Sequence, residues 1–436
     1  MTTIHPPADD SHCGWLEILP APAEPRRLAE DLEVDCAVVG AGFTGLAAAR
    51  RLHELEPSSR IVVLDAQRAG FGASGRSSGF VVDLAGFVAA KPPAEAERFI
   101  RLSRAGIAAL RRQVEEHDIE CAWDDRGWLH VAAGEPGLQS LERLESWLDQ
   151  RGERFERLDR PAMASLCGSD FYRAGARLPG SVLVQAGALV RGLAGGLDPA
   201  VELYEDSPVT SLTRAGAWHL GIGGPPSRTI RARSVVLATN AALPALGFLR
   251  NRIFPLFTFG SLTRPLSQEQ QEQLGGEREW GLLAQDPMGS SLRRTRDQRL
   301  LVRNSVVFTR APRAPEAARR RAAEAHRVAL ARRFPELPGL ELEHTWGGAM
   351  GMSADHNHFF GRLAPGLHAA GGYFGAGIAL GTVAGELLAE LVTERDSDLL
   401  RDMQALPGPA WIPPEPFLGW GVRWRVGRLE ARAEHV

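Results

Sequence analysis

Lysine is almost missing from this chain of 436 residues: of its 50 basic residues only Lys91 is lysine, and the rest are arginine. Lys91 stands in a predicted loop before a helix, a poor position for a catalytic ammonium group. Cysteine is scarce too. Cys13, Cys36, Cys121 and Cys167 are scattered and form no C-x-x-C pair, which argues against a metal site and for buried or free thiols in a reducing compartment. Long apolar runs are absent, so no stretch is expected to span a bilayer. The opening stretch, Met1 to Arg27, is rich in Pro and Ala, carries Asp9 and Asp10, and lacks the apolar core of a signal peptide. A cytoplasmic protein is expected. Nor is there an excess of either charge: the net is −3 with 44% hydrophobic residues, and nothing in it argues for nucleic acid or an anionic membrane as the main partner. The length calls for two domains with ample core.

The most informative stretch present is Val34 to Gly45, V-D-C-A-V-V-G-A-G-F-T-G. An apolar strand runs into Gly40, Gly42 and Gly45 in G-x-G-x-x-G spacing, and a helical stretch follows to Leu55. This order places a pyrophosphate on backbone N–H groups at a helix N-terminus. The glycines serve the tight turn, the approach of the phosphate, and close helix–strand packing. The next predicted strand, Arg60 to Asp65, ends in an acid 20 residues beyond Gly45, where a carboxylate meets a ribose 2′-OH and would repel a 2′-phosphate. An adenine dinucleotide without that phosphate follows, NAD or FAD.

Farther on, Ala66 to Gly79 is too rich in Gly and Ser for a regular element and reads as a loop approaching a ligand. Helices are predicted over Ala94 to His117, Glu135 to Arg151 and Pro315 to Phe334 from their apolar spacing, the last a solvated face despite Arg319-Arg320-Arg321. Strands are expected within Asp118 to Ala133, over Val201 to Tyr204, Val209 to Leu212 and Trp218 to Ile222, along Arg233 to Asn240, and through Ile253 to Phe308. Ala349 to Gly361 reads as a polar loop. Gly366 to Gly377 is a second glycine turn leading into a helix from Ile378 to Glu394, a second helix N-terminus suited to negative charge. The ending, Pro407 to Val436, with Trp411, Trp420 and Trp424, reads as a strap over the domains or an oligomer contact.

Five blocks in this order resemble the D-amino-acid-oxidase-like family of FAD-dependent oxidoreductases. They are Val38 to Gly45; Gly70-Phe71-Gly72-Ala73-Ser74-Gly75-Arg76; Val236-Leu237-Ala238-Thr239-Asn240; Thr263-Arg264-Pro265-Leu266-Ser267; and Gly371 to Ile378. The second block and the ending Trp411 to Pro416 look most like the γ-glutamylputrescine oxidoreductase branch. The resemblance implies an α/β and α+β architecture: a glutathione-reductase-like Rossmann FAD-binding domain with an interleaved substrate domain of antiparallel β-sheet plus helices. The first is expected over residues 1–85, 181–250 and 345–406, the second over 86–180 and 251–344, and the strap over 407–436.

For residues, the resemblance implies that Gly40, Gly42, Phe43, Thr44 and Gly45 hold the FAD pyrophosphate and Asp65 the adenosine ribose, flanked by Ala66, Gln67 and Arg68. Gly72, Ala73 and Ser74 would lie against the flavin, with Arg76 beside them. Val209 would meet the adenine through its backbone, and Ala238, Thr239 and Asn240 would complete the turn. Gly372, Phe374, Gly375, Gly377 and Ile378 would face the flavin O2/N1 edge with N–H groups. No cysteine follows Cys167, so FAD is expected to be non-covalent.

One departure from the family pattern bears on the substrate. Amino-acid-oxidising members commonly carry Arg-Pro before Thr-x-Asp, and the arginine grips the substrate carboxylate. Here Ser353 and Asp355 fit the second motif, which puts Met350 at the arginine position. A thioether cannot compensate the burial of a carboxylate. The expected reaction is therefore oxidation of a primary or secondary amine, with a polyamine conjugate as one candidate, to an imine that hydrolyses to an aldehyde. O2 or another acceptor would take the electrons. Met350, His356, His358 and Tyr373 are the candidate residues of the amine pocket, one histidine assisting amine deprotonation. Two alternatives stand beside this: an amino- or imino-acid oxidase or dehydrogenase that uses Arg264 or Arg303, and a flavoprotein subunit without turnover of its own. No NADPH-handling motif supports a hydroxylase.

Overall fold

The computed structural model describes residues 12–286, 288–309, 314–337 and 339–433. Asp9 and Asp10, and the last three residues of the strap, lie outside the described residues. Two eight-stranded sheets organise the chain. At the centre of the first is Leu32–Val39, parallel to Arg228–Leu237 on one side and to Ile61–Leu64 on the other. Ile61–Leu64 pairs in parallel with Val201–Tyr204, and Arg228–Leu237 with Leu367–Gly371. Ile61, Val62, Val63 and Leu64 are all fully buried, as expected of a parallel strand covered on both faces. Phe359–Ala364 closes one edge antiparallel, and the hairpin Val209–Ala215 with Ala217–Ile222 pairs along the first half of Arg228–Leu237. The carboxyl ends of the parallel strands, at Val39, Leu64, Leu237 and Gly371, share one end of the sheet, where ligands of open α/β sheets bind.

The second sheet runs in the order Leu342–Met352, Phe254–Thr263, Leu300–Phe308, Ser291–Arg294, Trp280–Ala284, Leu129–Ala132, Ala174–Arg177, Glu156–Asp159. It is antiparallel except where Trp280–Ala284 meets Leu129–Ala132. Helix Glu316–Arg333 packs on it through Ala318, Ala322, His326, Ala329 and Leu330. A two-stranded pair, Phe80–Val81 with Val182–Leu183, completes the strands.

Two helices bring the glycine turns together. Phe43–Leu55 follows the first turn and Ala379–Val392 the second. They cross where Gly381 and Gly385 leave room: a Cβ on Gly385 would fall 2.2 Å from the Thr44 carbonyl oxygen, and one on Gly381 2.9 Å from Thr44 Oγ1. Only residues without a side chain permit that approach, and it sets the two helix N-termini side by side. Pro93–Glu116 packs on the same helix at Gly106, whose Cβ would lie 2.1 Å from the Ala379 carbonyl oxygen. This helix falls within the expected substrate segment 86–180 but buries its face against the first sheet's helices.

Several expectations are corrected. The polar loop expected from Ala349 to Gly361 begins as a strand, since Leu342–Met352 pairs with Phe254–Thr263 through Met352. Gly347, Gly348 and Gly351 interrupt its apolar alternation and so conceal it. Because this strand runs past the boundary expected at residue 345, residues 345–352 belong to the second sheet. The loop from Ala66 to Gly79 contains a one-turn helix, Ala73–Arg76. Within Asp118 to Ala133 a strand forms only over Leu129–Ala132, with a single bridge from Asp124 to Leu183.

The strap packs over the junction of the sheets. Ala410 N–H donates to the Asp355 carboxylate at 3.0 Å, Ile412 N–H donates to the Asn251 carbonyl at 2.8 Å, and Arg252 donates to the Pro409 carbonyl at 2.6 Å. It ends in helix Phe417–Ala433, with Leu418 and Val422 against Leu256, Phe308 and Met352. Trp411, Phe417, Trp420 and Trp424 point outward and are exposed. Among the described residues, no helix is long and apolar enough to cross a membrane.

Candidate functional site

A cavity of about 690 Å³ opens at the carboxyl end of the parallel strands and runs beneath the second sheet, within the range of about 300–1,000 Å³ usual for ligand sites. Its first wall is backbone. Gly40 has φ +108°, and a Cβ on Gly45 would sit 1.8 Å from the Gly40 carbonyl oxygen, so the turn closes only with glycine there. Gly40, Gly42, Phe43 and Thr44 line the cavity, while Gly45 is spent on packing. Ser74 Oγ accepts the Phe43 N–H at 3.2 Å, which places Ser74 at the dinucleotide turn rather than at a separate flavin face.

Asp65 lines the cavity beside Leu64 and Val209. Its oxygens accept the Ala41 N–H at 2.7 Å and the Gln67 N–H at 2.9 Å, and each keeps a further acceptor position. Burial pushes its pKa up to about 6 against those two bonds, with Glu205 and Asp206 adding to the rise. Ala66 and Gln67 line the cavity there too. Arg68 does not; it turns to Glu205 at 3.1 Å.

Gly72, Ala73, Ser74 and Arg76 line the middle. The Arg76 guanidinium bonds the Phe71 carbonyl at 2.7 Å and the Gly347 carbonyl at 3.1 Å, and so ties this loop to the second sheet. Ala238, Thr239 and Asn240 line it from the first sheet. The buried Thr239 and Ser77 hydroxyls, both at the cavity, have no hydrogen-bond partner among the described residues, an open provision for a polar ligand.

The second glycine turn supplies Phe374, Gly375, Gly377 and Ile378. Gly372 is a correction: its N–H is taken by Asn240 Oδ1 at 2.8 Å, and it does not line the cavity. The catalytic candidates fare unevenly. Met350 lines the cavity, packed with Leu256, Phe308, Met352 and Phe374. Tyr373 lines it too, but its hydroxyl is paired with Thr44 Oγ1 at 3.0 Å, and burial raises its pKa. That pair fastens the second turn to the first helix and leaves no free acid or base. His358 is buried behind the turn, with Nε2 3.1 Å from Met403 Sδ, and burial, helped by Lys91, pushes its pKa down to about 4. His356 packs against Phe374, ring centroids 3.9 Å apart and tilted by 44°; burial, then Arg425 and Lys91, lower its pKa. Neither histidine lines the cavity. Lys91 bonds Asn357 Oδ1 at 2.5 Å, away from it.

The second wall contains residues that the sequence did not single out: Thr258, Phe259, Gly260, Leu301, Trp346 and Gly348, and beyond them Pro244, Leu246 and Arg250. The alternation of Phe254 to Leu262, once placed on a sheet, puts Thr258 and Gly260 on the cavity side, and that is the signal that could have found them. Of the two strand arginines, Arg264 is exposed and paired with Glu341 at 3.1 Å, whereas Arg303 lines the cavity. No cysteine lines it. Burial pushes Cys36 and Cys167 up to about 12 and Cys121 to about 11, so these thiols are inert.

The residues present therefore fit FAD: a backbone turn for the pyrophosphate, an acid at the ribose, orphaned hydroxyls between, and a second helix N-terminus opposite. Comparison with known proteins agrees. The family described as FAD dependent oxidoreductase (DAO) matches residues 35–391. The γ-glutamylputrescine oxidoreductase of Escherichia coli K12 is 28% identical over 407 residues, covering 90% of this chain and 89% of that protein. A probable oxidoreductase, OrdL, of Haemophilus influenzae is 27% identical over 385 residues, 84% of each. Among solved structures, glycine oxidase of Geobacillus kaustophilus superposes with a TM-score of 0.71 at 22% identity, over 84% of this chain and 96% of that one. The L-proline dehydrogenase of P. horikoshii superposes with 0.66 at 16%, over 85% and 96%. At these identities the structural matches speak for the fold.

Proposed function

The chain belongs to the family of FAD-dependent oxidoreductases, and from that premise we infer that it oxidises the C–N bond of a primary or secondary amine, with non-covalently held FAD as its redox partner. FAD, which the Gly40 turn, Asp65 and the second helix start would hold, would supply a two-electron hydride acceptor for the carbon next to nitrogen; the amine would become an imine that water converts to an aldehyde and ammonia or a smaller amine, with O2 or another acceptor as the final electron sink. The observation that carries the amine reading is Met350. It faces the cavity among Leu256, Phe308 and Phe374, where an α-carboxylate would be buried without a partner at a cost of several kcal/mol. The family resemblance to a γ-glutamylputrescine oxidoreductase supports an amine of the conjugate kind.

The chain's own part is orientation and desolvation. The Tyr373–Thr44 pair and the Gly381–Gly385 crossing fix the second helix start against the first. With His356 and His358 outside the cavity and Tyr373 paired, no side chain is assigned as proton acceptor. The amine must arrive neutral.

Anaerobic titration of the flavin-loaded protein with amines and amino acids, followed by flavin absorbance, tests this. Simple or conjugated amines are expected to bleach the flavin. Bleaching by glycine, sarcosine or D-alanine and by no other amine would sink the reading. Met350→Arg is expected to shift preference toward α-amino acids by about tenfold, the scale of one charge-assisted contact; no shift would remove position 350 from substrate recognition.

A further inference from the structure

Arg303 is a charged group on the second wall that the proposed chemistry leaves unexplained; Arg250, farther along the wall, bonds the Pro244 carbonyl at 3.4 Å. It stands on Leu300–Phe308, opposite Gly260 on the neighbouring strand, and Gly260 in turn faces Trp346. Gly260 has no side chain and Leu301 and Arg303 lie on the same strand face, so the guanidinium has a clear path over the sheet into the cavity that both line. Among the described residues no acid pairs with it, and its guanidinium takes part in no ion pair or hydrogen bond. Its neighbour His326 is held neutral, pushed down to about 3 by burial. Arg76, the other arginine at the cavity's centre, is bonded to carbonyls. An arginine stays protonated even where burial disfavours its charge, and a partly buried cation without a partner is expensive. Such a group is expected to meet an anion that arrives with a ligand.

Two anions could come: the cofactor's phosphates or a substrate carboxylate. The phosphate turn at Gly40 to Thr44 belongs to the first sheet, on the opposite wall. Arg303 also lies apart from Met350. Met350 pairs with Leu256, four residues along the strand from Gly260, or roughly 13 Å at about 3.3 Å per residue. A carboxylate on the reacting carbon would sit near position 350; one reaching Arg303 must be separated from the reacting nitrogen by several bonds.

Resting on the amine reading above, we propose that Arg303 is the substrate's anion subsite and that the substrate is an amine with a remote carboxylate, of the ω-amino acid or acyl-conjugated type.

The test compares 4-aminobutyrate, 5-aminopentanoate and 6-aminohexanoate with alkylamines of equal chain length, as the concentration needed for half-reduction of the flavin without oxygen. At least one acid is expected to be favoured about tenfold or more over its alkylamine. In Arg303→Met that ratio should fall below about threefold, with an intermediate value in Arg303→Lys, which keeps the charge and loses the fork. Flavin content should be retained and the melting temperature unchanged or raised, since an unpaired cation is removed. Pentanoate, which cannot be oxidised, should perturb the flavin spectrum of the native protein and not that of Arg303→Met. This readout stands even if no amine reduces the flavin, so the subsite and the reaction fail separately. Equal preference for acids and alkylamines in the native protein would overturn the subsite. So would loss of flavin in Arg303→Met, which would assign the anion to the cofactor. A variant slowed only in reoxidation by O2, its acid preference intact, would assign the charge to the acceptor instead.

Discussion

On the wall built from the parallel sheet, a ligand meets mostly backbone: the Gly40 turn, the start of helix Phe43–Leu55 and the start of Ala379–Val392. On the facing wall it meets side chains carried by three neighbouring strands, among them Thr258, Leu301, Arg303, Trp346 and Met350. Backbone recognition depends on where a turn closes and tolerates no added atom. Side-chain recognition depends on what each strand position carries and can be rewritten one residue at a time. The first wall suits a cofactor shared by a whole family; the second is where substrate choice can vary.

The largest expected break of this contrast is Gly45→Ala. Its Cβ would overlap the Gly40 carbonyl oxygen, so the turn must open and flavin should be lost from the purified protein. The flavin-to-protein absorbance ratio reads this directly, and a variant with full flavin would show that the turn can yield. Met350→Arg and Arg303→Met, on the other wall, should keep the flavin and alter only preference.

A further test asks whether the halves share one fate in acid. The first buries His358 and His368, pushed down to about 4, and the second His130 and His326, pushed down to about 3, burial being the leading cause in all of them. Each histidine protonates near 6.5 in the unfolded chain, so its contribution is present above that pH and lost as pH falls through the folded value, at about 1.4 kcal/mol per unit. Asp65, raised to about 6 in the folded chain, works in the opposite sense and offsets part of the loss. From pH 7.5 to 5 the melting temperature should drop by roughly 5 °C or more as one transition. An unchanged value would mean that these imidazoles are not held neutral by burial; two separated transitions would mean that the halves unfold independently.

The smallest effect is expected at the seam. Tyr373→Phe removes the hydroxyl bonded to Thr44 and should cost about 1 kcal/mol of stability while turnover stays within about threefold. A much larger fall in turnover with normal stability would return the hydroxyl to the chemistry.

The two walls were also unequally legible. Gly40, Gly42, Asp65, Val209 and Ala238 to Asn240 lie at the cavity as their spacing and the family resemblance implied, because a strand, a turn and a helix follow one another in sequence and leave a local signature. Tyr373, His356 and His358 were grouped by proximity in sequence, and the chain separates them: the tyrosine to Thr44, one histidine to Phe374, the other to Met403. The strand carrying Met350 was hidden by its glycines, and the crossing at Gly381 and Gly385 gave no local sign of what it would meet.

The amino-acid order alone was enough for the cofactor and for the parallel sheet that presents it, because G-x-G-x-x-G followed by an acid 20 residues on is a local geometry with few other uses. Which arginine faces the substrate space emerged only on folding. Arg264 and Arg303 are alike as strand residues, and their difference lies in partners far along the chain. Glu341 neutralises Arg264 at the surface, while Arg303 reaches across Gly260 into the cavity, where no acid among the described residues pairs with it.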